Sequence, residues 1–360
     1  VKILFLSSHA HLVLERSATR VSGGAELQIA LLARELPSRG IETVLLGGDT
    51  GQVDGIFLEG VKIRTGGQFH SGAPFSMLAS APRIFEVLAE EKPDWVFLLG
   101  WTAWMAAIVA MSGPLQYKTG FICGLDSEIT GDFRRENPLR GSLFEWGVAH
   151  CDLRYAMTQH QRDLFHAREW SSAMYRNLIL PRAFENKEIK KIDFLWVSRC
   201  QPVKRPNLFL DLVESLPDYS FEMICPREDV TLWESVARRA ALLPQLRFIE
   251  KVPYHEIQHH YDQARIFVNT SEWEGWPNSF IQSGQGRTAL LSLDVNPDGI
   301  FEKFGLGIFA EGDMQKLQSG AKSMMSDSGK LQLMQESCAR FVAEMHDNAK
   351  ETNAFISALH

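Results

Sequence analysis

The chain has 360 residues and a mass of 40.7 kDa, with 45% hydrophobic and 22% charged residues, a net charge of −7 and a pI near 5.9. This length and composition support a full core and make two domains the expectation, while the acidic balance excludes a duplex nucleic-acid binder with its basic stripe but leaves room for a local phosphate pocket. The five cysteines are odd in number and lack metal or redox spacing, which points to a reducing, cytoplasmic setting.

Residues 2–7 read as a strand of the parallel type, apolar without alternation, and are too short for a signal-peptide core. The start at Val1, without Met, reads as processed or trimmed. Residues 9–22 read as a polar loop. Ser22-Gly-Gly-Ala-Glu26 then opens a long amphipathic helix in which Leu27, Ala30, Leu31, Arg34 and Glu35 keep the helical period, ending at Ser38-Arg-Gly40. Strands at 42–46 and 61–64 and a helix at 81–90 follow. Residues 95–111 are almost uncharged and near the minimum length for a membrane span. Gly100 and Thr102 interrupt them, and turn signals flank them at Lys92-Pro-Asp94 and Ser112-Gly-Pro114. They are therefore read as a buried strand at 95–99 and a buried helix at 103–111. A strand at 118–122, a helix at 139–150, a strand at 153–157 and a helix at 159–168 complete the first run.

The charged stretch 181–191 breaks the alternation and reads as a linker. Strands at 194–197, 220–224, 246–248, 266–269 and 289–293 then alternate with helices at 206–216, 230–241, 254–263 and 279–284. Helices at 314–325 and 330–344 and a helical tail to His360 close the chain. The fold class is α/β: two Rossmann-like doubly wound domains facing across a cleft, which is the default ligand site. The domain boundaries are set at 1–183, 184–345 and 346–360.

The stretch Thr270-Ser-Glu-Trp-Glu-Gly-Trp-Pro-Asn-Ser-Phe-Ile-Gln282 carries the densest chemistry. A strand runs into it, and Asn278, a good N-cap placed after Pro277, is expected to start a helix. Glu272, Glu274 and the amides of Gly275, Trp276, Asn278 and Ser279 thus gather where a strand ends and a helix begins. That position favours ligands with both phosphate and hydroxyls, such as a sugar nucleotide. An ordinary connecting loop is the alternative. Arg199 and Lys204 follow the strand at 194–197 and form either a diphosphate clamp or a solvated basic loop. Gly23 and Gly24 let the backbone approach a phosphate, or make a simple turn. His255-Glu-Ile-Gln-His259 matches a zinc-protease pattern, but both histidines point away from the apolar face of the expected helix. His260 reads as a half-buried packing residue. Trp101 and Trp104 stack on an acceptor sugar or pack in the core.

Taken together, Gly-Gly-Ala-Glu26, Trp196-Val-Ser-Arg199, Pro202-Val-Lys-Arg-Pro206, residues 248–253, Val268-Asn-Thr-Ser-Glu272, Glu274-Gly-Trp-Pro-Asn278 and Ser292-Leu-Asp-Val-Asn-Pro-Asp-Gly299 occur in one order. In that order the chain resembles the retaining, nucleotide-sugar-dependent glycosyltransferases of group 1, which are family 4-like and have the GT-B architecture. The resemblance covers nearly the whole chain and is strongest over 194–307.

It implies that Glu274, first acid of the Glu-x7-Glu motif, binds hydroxyls of the donor sugar. Gln282 stands where the second Glu would bind the ribose, and an amide can bond a diol but cannot ionise. It also implies that Arg199 and Lys204 hold the diphosphate, that amides at Gly24 and at Asn278, Ser279 and Phe280 add phosphate contacts, and that backbone near Lys251 and Val252 reads the base. A His usual after the strand at 118–122 is replaced by Cys123-Gly-Leu-Asp-Ser-Glu128. There Asp126, with Glu128 behind it, is the candidate polar group at the reacting centre, or else a helix cap. The last helix is expected to cross back to the first domain.

The implied activity is hexosyl transfer with retention from a UDP- or GDP-sugar to a saccharide or lipid-linked acceptor, without a metal or other cofactor. A cytoplasmic setting is expected, with peripheral contact to the inner membrane leaflet left open. A sugar-nucleotide epimerase of the same architecture and a non-catalytic sugar-nucleotide-binding protein are the alternatives.

Overall fold

A computed structural model describes residues 1–15, 23–67, 74–180 and 189–359. Ser22, most of the expected linker (181–188) with its boundary at 183, and His360 lie outside the described residues. The chain divides into two compact units: Val1–Leu180 with Asn348–His360, and Pro181–Asp347.

The first unit holds strands β1 (Lys2–Leu6), β2 (Glu42–Gly47), β3 (Phe57–Leu58), β4 (Val61–Thr65), β5 (Trp95–Leu99), β6 (Lys118–Ile122), β7 (Leu153–Ala156) and β8 (Ala173–Met174). They lie in the order β3-β4-β2-β1-β5-β6-β7-β8, parallel except for the β3–β4 pair. Ile3, Leu4, Phe5, Val96, Phe97 and Leu98 are wholly buried, the signature of a sheet covered by helices on both faces. The second unit holds β9 (Ile192–Val197), β10 (Phe221–Ile224), β11 (Leu246–Ile249), β12 (Ala264–Asn269), β13 (Ala289–Ser292) and β14 (Gly307–Phe309), wholly parallel in the order β11-β10-β9-β12-β13-β14. Its core gathers Phe194, Trp196, Phe209, Phe221, Val268 and Leu291.

The last helix, Asn348–Ser357, belongs to the first unit. Tyr155 Oη donates to Phe355 O (2.5 Å), and the two rings stack with centroids 4.7 Å apart. Glu351 accepts the Arg176 amide (2.9 Å), and the Asn348 side chain bonds both the N–H and the C=O of Ile179 (2.8 Å each).

Several local expectations are corrected. Residues His11–Leu14, expected as polar loop, form one helical turn with His11, Leu12 and Leu14 buried. The helix expected at 81–90 spans Pro74–Glu91, with Pro82 inside it on the exposed face, where water can serve the carbonyl that loses its partner. The helix expected at 103–111 spans Met105–Leu115. It runs through Ser112-Gly-Pro114 because Pro114 falls in the last turn, and it ends at Gln116 in the left-handed region (φ 58°). Among the described residues no helix is long and apolar enough to cross a membrane. The short strands β3, β8 and β14 carry too few residues to show a period.

Candidate active site

The second unit supplies a switch point. From β9 the chain builds outward through β10 and β11, then returns to place β12 on the other side of β9. The carboxyl ends of β9 and β12 therefore part where the winding reverses, the position at which open α/β sheets bind ligands. The loop after β9 carries Arg199, the turn Pro202–Lys204 and Arg205; the loop after β12 carries Thr270 to Pro277.

The two loops are laced together. Glu272 N–H donates to Val203 O (2.8 Å), and Thr270 Oγ1 donates to Lys204 O (2.8 Å). Lys204 Nζ then sits 2.6 Å from Glu274 Oε1, which also accepts the Ser271 hydroxyl (2.8 Å). The Lys204 and Glu274 side chains are 14% and 20% exposed, so the pair is half-buried and still reachable.

Arg199 leaves the same strand end but pairs with Glu228 from the loop after β10, 3.1 Å away, and not with Glu274. Gly275 is buried, and the Trp276 ring lies against Phe341 and His346 at centroid distances of 6.2 and 5.3 Å.

The helix here is Asn278–Gln285, and its N-cap is Pro277, not Asn278. Pro277 holds φ −68° with an extended ψ of 117°, so it fills the half-in position and moves Asn278 to the first helical residue. Phe280 N–H, expected as a phosphate donor, already donates to Pro277 O (3.1 Å). Ser279 follows in the same half-buried first turn. Gln282 is half-buried one turn further, and its carbonyl accepts Gln258 Nε2 (2.9 Å). Lys251 and Val252 follow β11, exposed and half-buried respectively. Three strand spacings, about 14 Å, separate β11 from β12 along the same edge.

In the first unit, Gly23 is the N-cap of the helix Gly24–Glu35 with ordinary extended geometry (φ −79°), and a Cβ there would meet only the flexible Glu26 carboxylate (2.5 Å). Gly24 is exposed at the first turn. Asp126 stands at the N-cap position of Ser127–Thr130, but its side chain caps nothing. Its carboxylate lies 3.6 Å from His160 Nε2, and only its backbone C=O takes the Ile129 amide (2.9 Å).

The buried acid at this edge is Glu128, which sequence reading set second. Its Oε2 accepts the amides of Gly124 (2.7 Å) and Leu125 (3.1 Å), and the Trp101 amide also pulls on the carboxylate, while the Cys123 thiol donates to Leu125 O (3.2 Å). Burial pushes its carboxyl up to about 7, against the pull of those donors. It thereby joins the loops that leave β5 and β6. The signal for it was the pair Gly100 and Gly124, whose bare backbones let a carboxylate approach.

Of the two tryptophans, Trp104 is core at 4% exposure, whereas Trp101 is 40% exposed and rests on Phe133 at 4.6 Å. The helix expected at 254–263 spans Ile257–Gln263, so His255 precedes it and shares no helix face with His259. His260 is half-buried and paired with Glu222, consistent with packing.

Against known proteins, residues 23–181 match the family described as Glycosyl transferase 4-like domain, and residues 181–341 the family described as Glycosyl transferases group 1. No curated protein sequence matches the chain. Among solved structures it is similar to a sucrose-phosphate synthase from Thermosynechococcus elongatus, with a TM-score of 0.80 at 11% identity over 99% of this chain and 97% of that one. It is similar to HepE of Anabaena in complex with UDP and glucose, with a TM-score of 0.72 at 14% identity over 99% and 98%. It is also similar to WaaG, a glycosyltransferase involved in lipopolysaccharide biosynthesis, with a TM-score of 0.71 at 11% identity over 99% of each chain. At these identities the likeness is one of fold: the two parallel-sheet Rossmann-like units of GT-B enzymes.

Proposed function

The chain belongs to the group 1 glycosyltransferases, and we propose that it moves a hexose, with retention at C1, from a nucleoside-diphosphate sugar to a saccharide or lipid-linked acceptor. The observation that carries this reading is the Lys204–Glu274 pair at the switch point, one turn of chain before the helix Asn278–Gln285. A cation and a carboxylate side by side suit a ligand in which a diphosphate adjoins a hydroxylated ring. The presence of UDP and glucose in the HepE complex supports a uridine nucleotide among the donors to test. A GDP-sugar remains in the same proposal.

In the proposed reaction the bond from C1 to the diphosphate oxygen breaks as the acceptor oxygen bonds to C1 on the same face. The acceptor's proton passes to the departing phosphate oxygen. Negative charge grows on that phosphate, and Lys204, Arg199 and helix N-terminal amides are assigned to stabilise it without calling on a metal. Glu274 accepts hydrogen bonds from sugar hydroxyls. Gln282 takes the ribose diol, Lys251 and Val252 offer backbone to the base, and Gly23 and Gly24 offer a further phosphate contact. Asp126 is assigned to the reacting centre.

Peripheral contact with the inner leaflet is part of the proposal. It is supported by Leu139, Leu143 and Trp146, exposed along Pro138–His150, with Arg134, Arg135 and Arg140 beside them. Co-sedimentation with anionic vesicles tests it.

The main test is thermal stability against UDP-, GDP- and ADP-sugars, with Glu274→Ala and Arg199→Ala alongside, because a ligand of the native state raises Tm by mass action. A shift with one nucleotide class, reduced in both variants, is expected. No shift at millimolar ligand would refute the donor reading. Product carrying the inverted anomer, read from NMR coupling constants, would refute retention.

A further inference from the structure

Arg205 belongs to neither the diphosphate pair nor the sugar contacts, yet its side chain bonds to the loops after two other strands, where the Arg199 and Lys204 side chains each reach one. It sits at φ 47°, ψ 54°, in the left-handed region that L residues with a Cβ avoid. Pro206 follows it and starts the helix Pro206–Ser215, and a residue before proline is kept out of the right-handed helical region. From this backbone position its side chain turns inward across the end of β12.

Nε donates to Thr270 O (2.8 Å) and Nη2 to Ser271 O (3.0 Å), and Nη2 also pairs with the carboxylate of Asp294, which follows β13. Thr270 Oγ1 reaches back to the carbonyls of Lys204 (2.8 Å) and Arg205 (3.2 Å), and Trp196 Nε1 donates to that same hydroxyl (3.0 Å). One guanidinium thus joins the segments leaving three adjacent strands, β9, β12 and β13. The planar fork is what allows this, since a lysine ammonium cannot serve two carbonyls and a carboxylate in fixed directions.

The charge of Arg205 is already matched by Asp294 and two carbonyl dipoles, so it is not a third cation for a diphosphate. Its bonds end on Thr270 and Ser271, and the Ser271 hydroxyl holds Glu274 Oε1 (2.8 Å). Its own backbone is the residue after Lys204. We propose that Arg205 is a positioning residue: with Asp294 it sets the spacing of Lys204 and Glu274 by tying the loop after β12 to the loop after β9. This rests on the functional reading above for its catalytic consequence, but not for its structural one.

The test compares Arg205→Gly, Arg205→Lys and Asp294→Asn. Glycine suits the left-handed backbone, and that relief offsets the loss of the whole side chain with its guanidinium, so a variant that folds with a Tm close to the wild type is expected. Hydrogen–deuterium exchange in the ligand-free protein is expected to show amides in 270–275 exchanging about tenfold faster in Arg205→Gly and in Asp294→Asn, with other strand-end loops unchanged. With donor and acceptor, kcat is expected to fall about tenfold or more in both Arg205 variants while the donor KM moves less than about threefold, and added guanidinium ion is expected to restore part of kcat in Arg205→Gly.

Unchanged exchange in 270–275 in Arg205→Gly overturns the inference whatever the enzyme's donor proves to be, as does full kcat in Arg205→Lys. Absence of turnover in the wild type, with faster exchange in the variants, would count against the proposed reaction and leave the positioning role standing. Should Arg205→Gly not fold, Asp294→Asn and Arg205→Lys carry the same two readouts.

Discussion

On the proposed reading, a diphosphate arriving at Lys204 meets a carboxylate already in place, 2.6 Å from the ammonium. Replacing Glu274 by Gln removes that competing charge and still leaves an oxygen for the Ser271 hydroxyl. At an effective dielectric of about 20, two unit charges 2.6 Å apart attract by roughly 6 kcal/mol. Desolvation and side-chain ordering cancel most of that for half-buried groups, leaving roughly 1–2 kcal/mol.

Freed of the pair, Lys204 is expected to bind a nucleoside diphosphate lacking the sugar about 5–30-fold more tightly in Glu274→Gln than in the wild type. On the same reading this substitution is expected to lower turnover of the full donor, because the sugar hydroxyls would lose their anionic acceptor. Lys204→Ala is expected to weaken the same ligand by about tenfold. Isothermal titration calorimetry with UDP, GDP and ADP reads both. An affinity in Glu274→Gln that stays within about twofold of the wild type for every nucleotide would refute the competition and, with it, the placement of the diphosphate at Lys204.

Further outcomes follow from other parts of the two units. Glu128 carries a carboxyl pushed up to about 7 from 4.5, so the stability tied to its neutral form is fully present below about pH 4.5 and lost as pH rises through 7. The stability of Glu128→Gln relative to the wild type, from melting curves, is expected to rise by about 2.5 kcal/mol between pH 5 and 8, and a pH-independent difference would contradict the burial of an ionisable acid there. Gly284→Ala places a Cβ 2.3 Å from Val342 Cγ2 and 2.7 Å from Cys338 O. The helix Asn278–Gln285 must then lift from Ser328–Met345, at a net destabilisation of about 1–2 kcal/mol after the helix-propensity gain of alanine, read as a lowered Tm. Arg199→Ala removes an ion pair whose side chains are 43% and 40% exposed, so stability is expected to hold within about 0.5 kcal/mol while affinity for a nucleoside diphosphate falls about tenfold.

Much of this protein was legible along the chain. Runs such as Ile3 to Phe5 and Val96 to Leu98 are apolar without alternation because both faces of a parallel strand are covered, so the alternation of strand and helix, and hence two Rossmann-like units, could be read directly. Glu274, Arg199 and Lys204 could be nominated from their places after strands, since the carboxyl end of a strand is a property of local order.

What local order could not contain is which of these groups meet. Lys204 and Glu274 are 70 positions apart, and Arg205 and Asp294 are 89. Their contacts exist because β12 returns beside β9 and β13 lies beyond it, a strand order that no residue in either loop encodes. The same holds for Arg199, drawn to Glu228 by the neighbouring strand β10, and for Glu128, which is buried while Asp126 stays half-exposed because the ends of β5 and β6 turn their amides toward Glu128. Trp101 and Trp104 are three residues apart and chemically alike, and only the packing of the sheet decides that one is core and the other exposed. Period and turn chemistry report the backbone's local conformation; partners remote in sequence follow from how the strands are stacked.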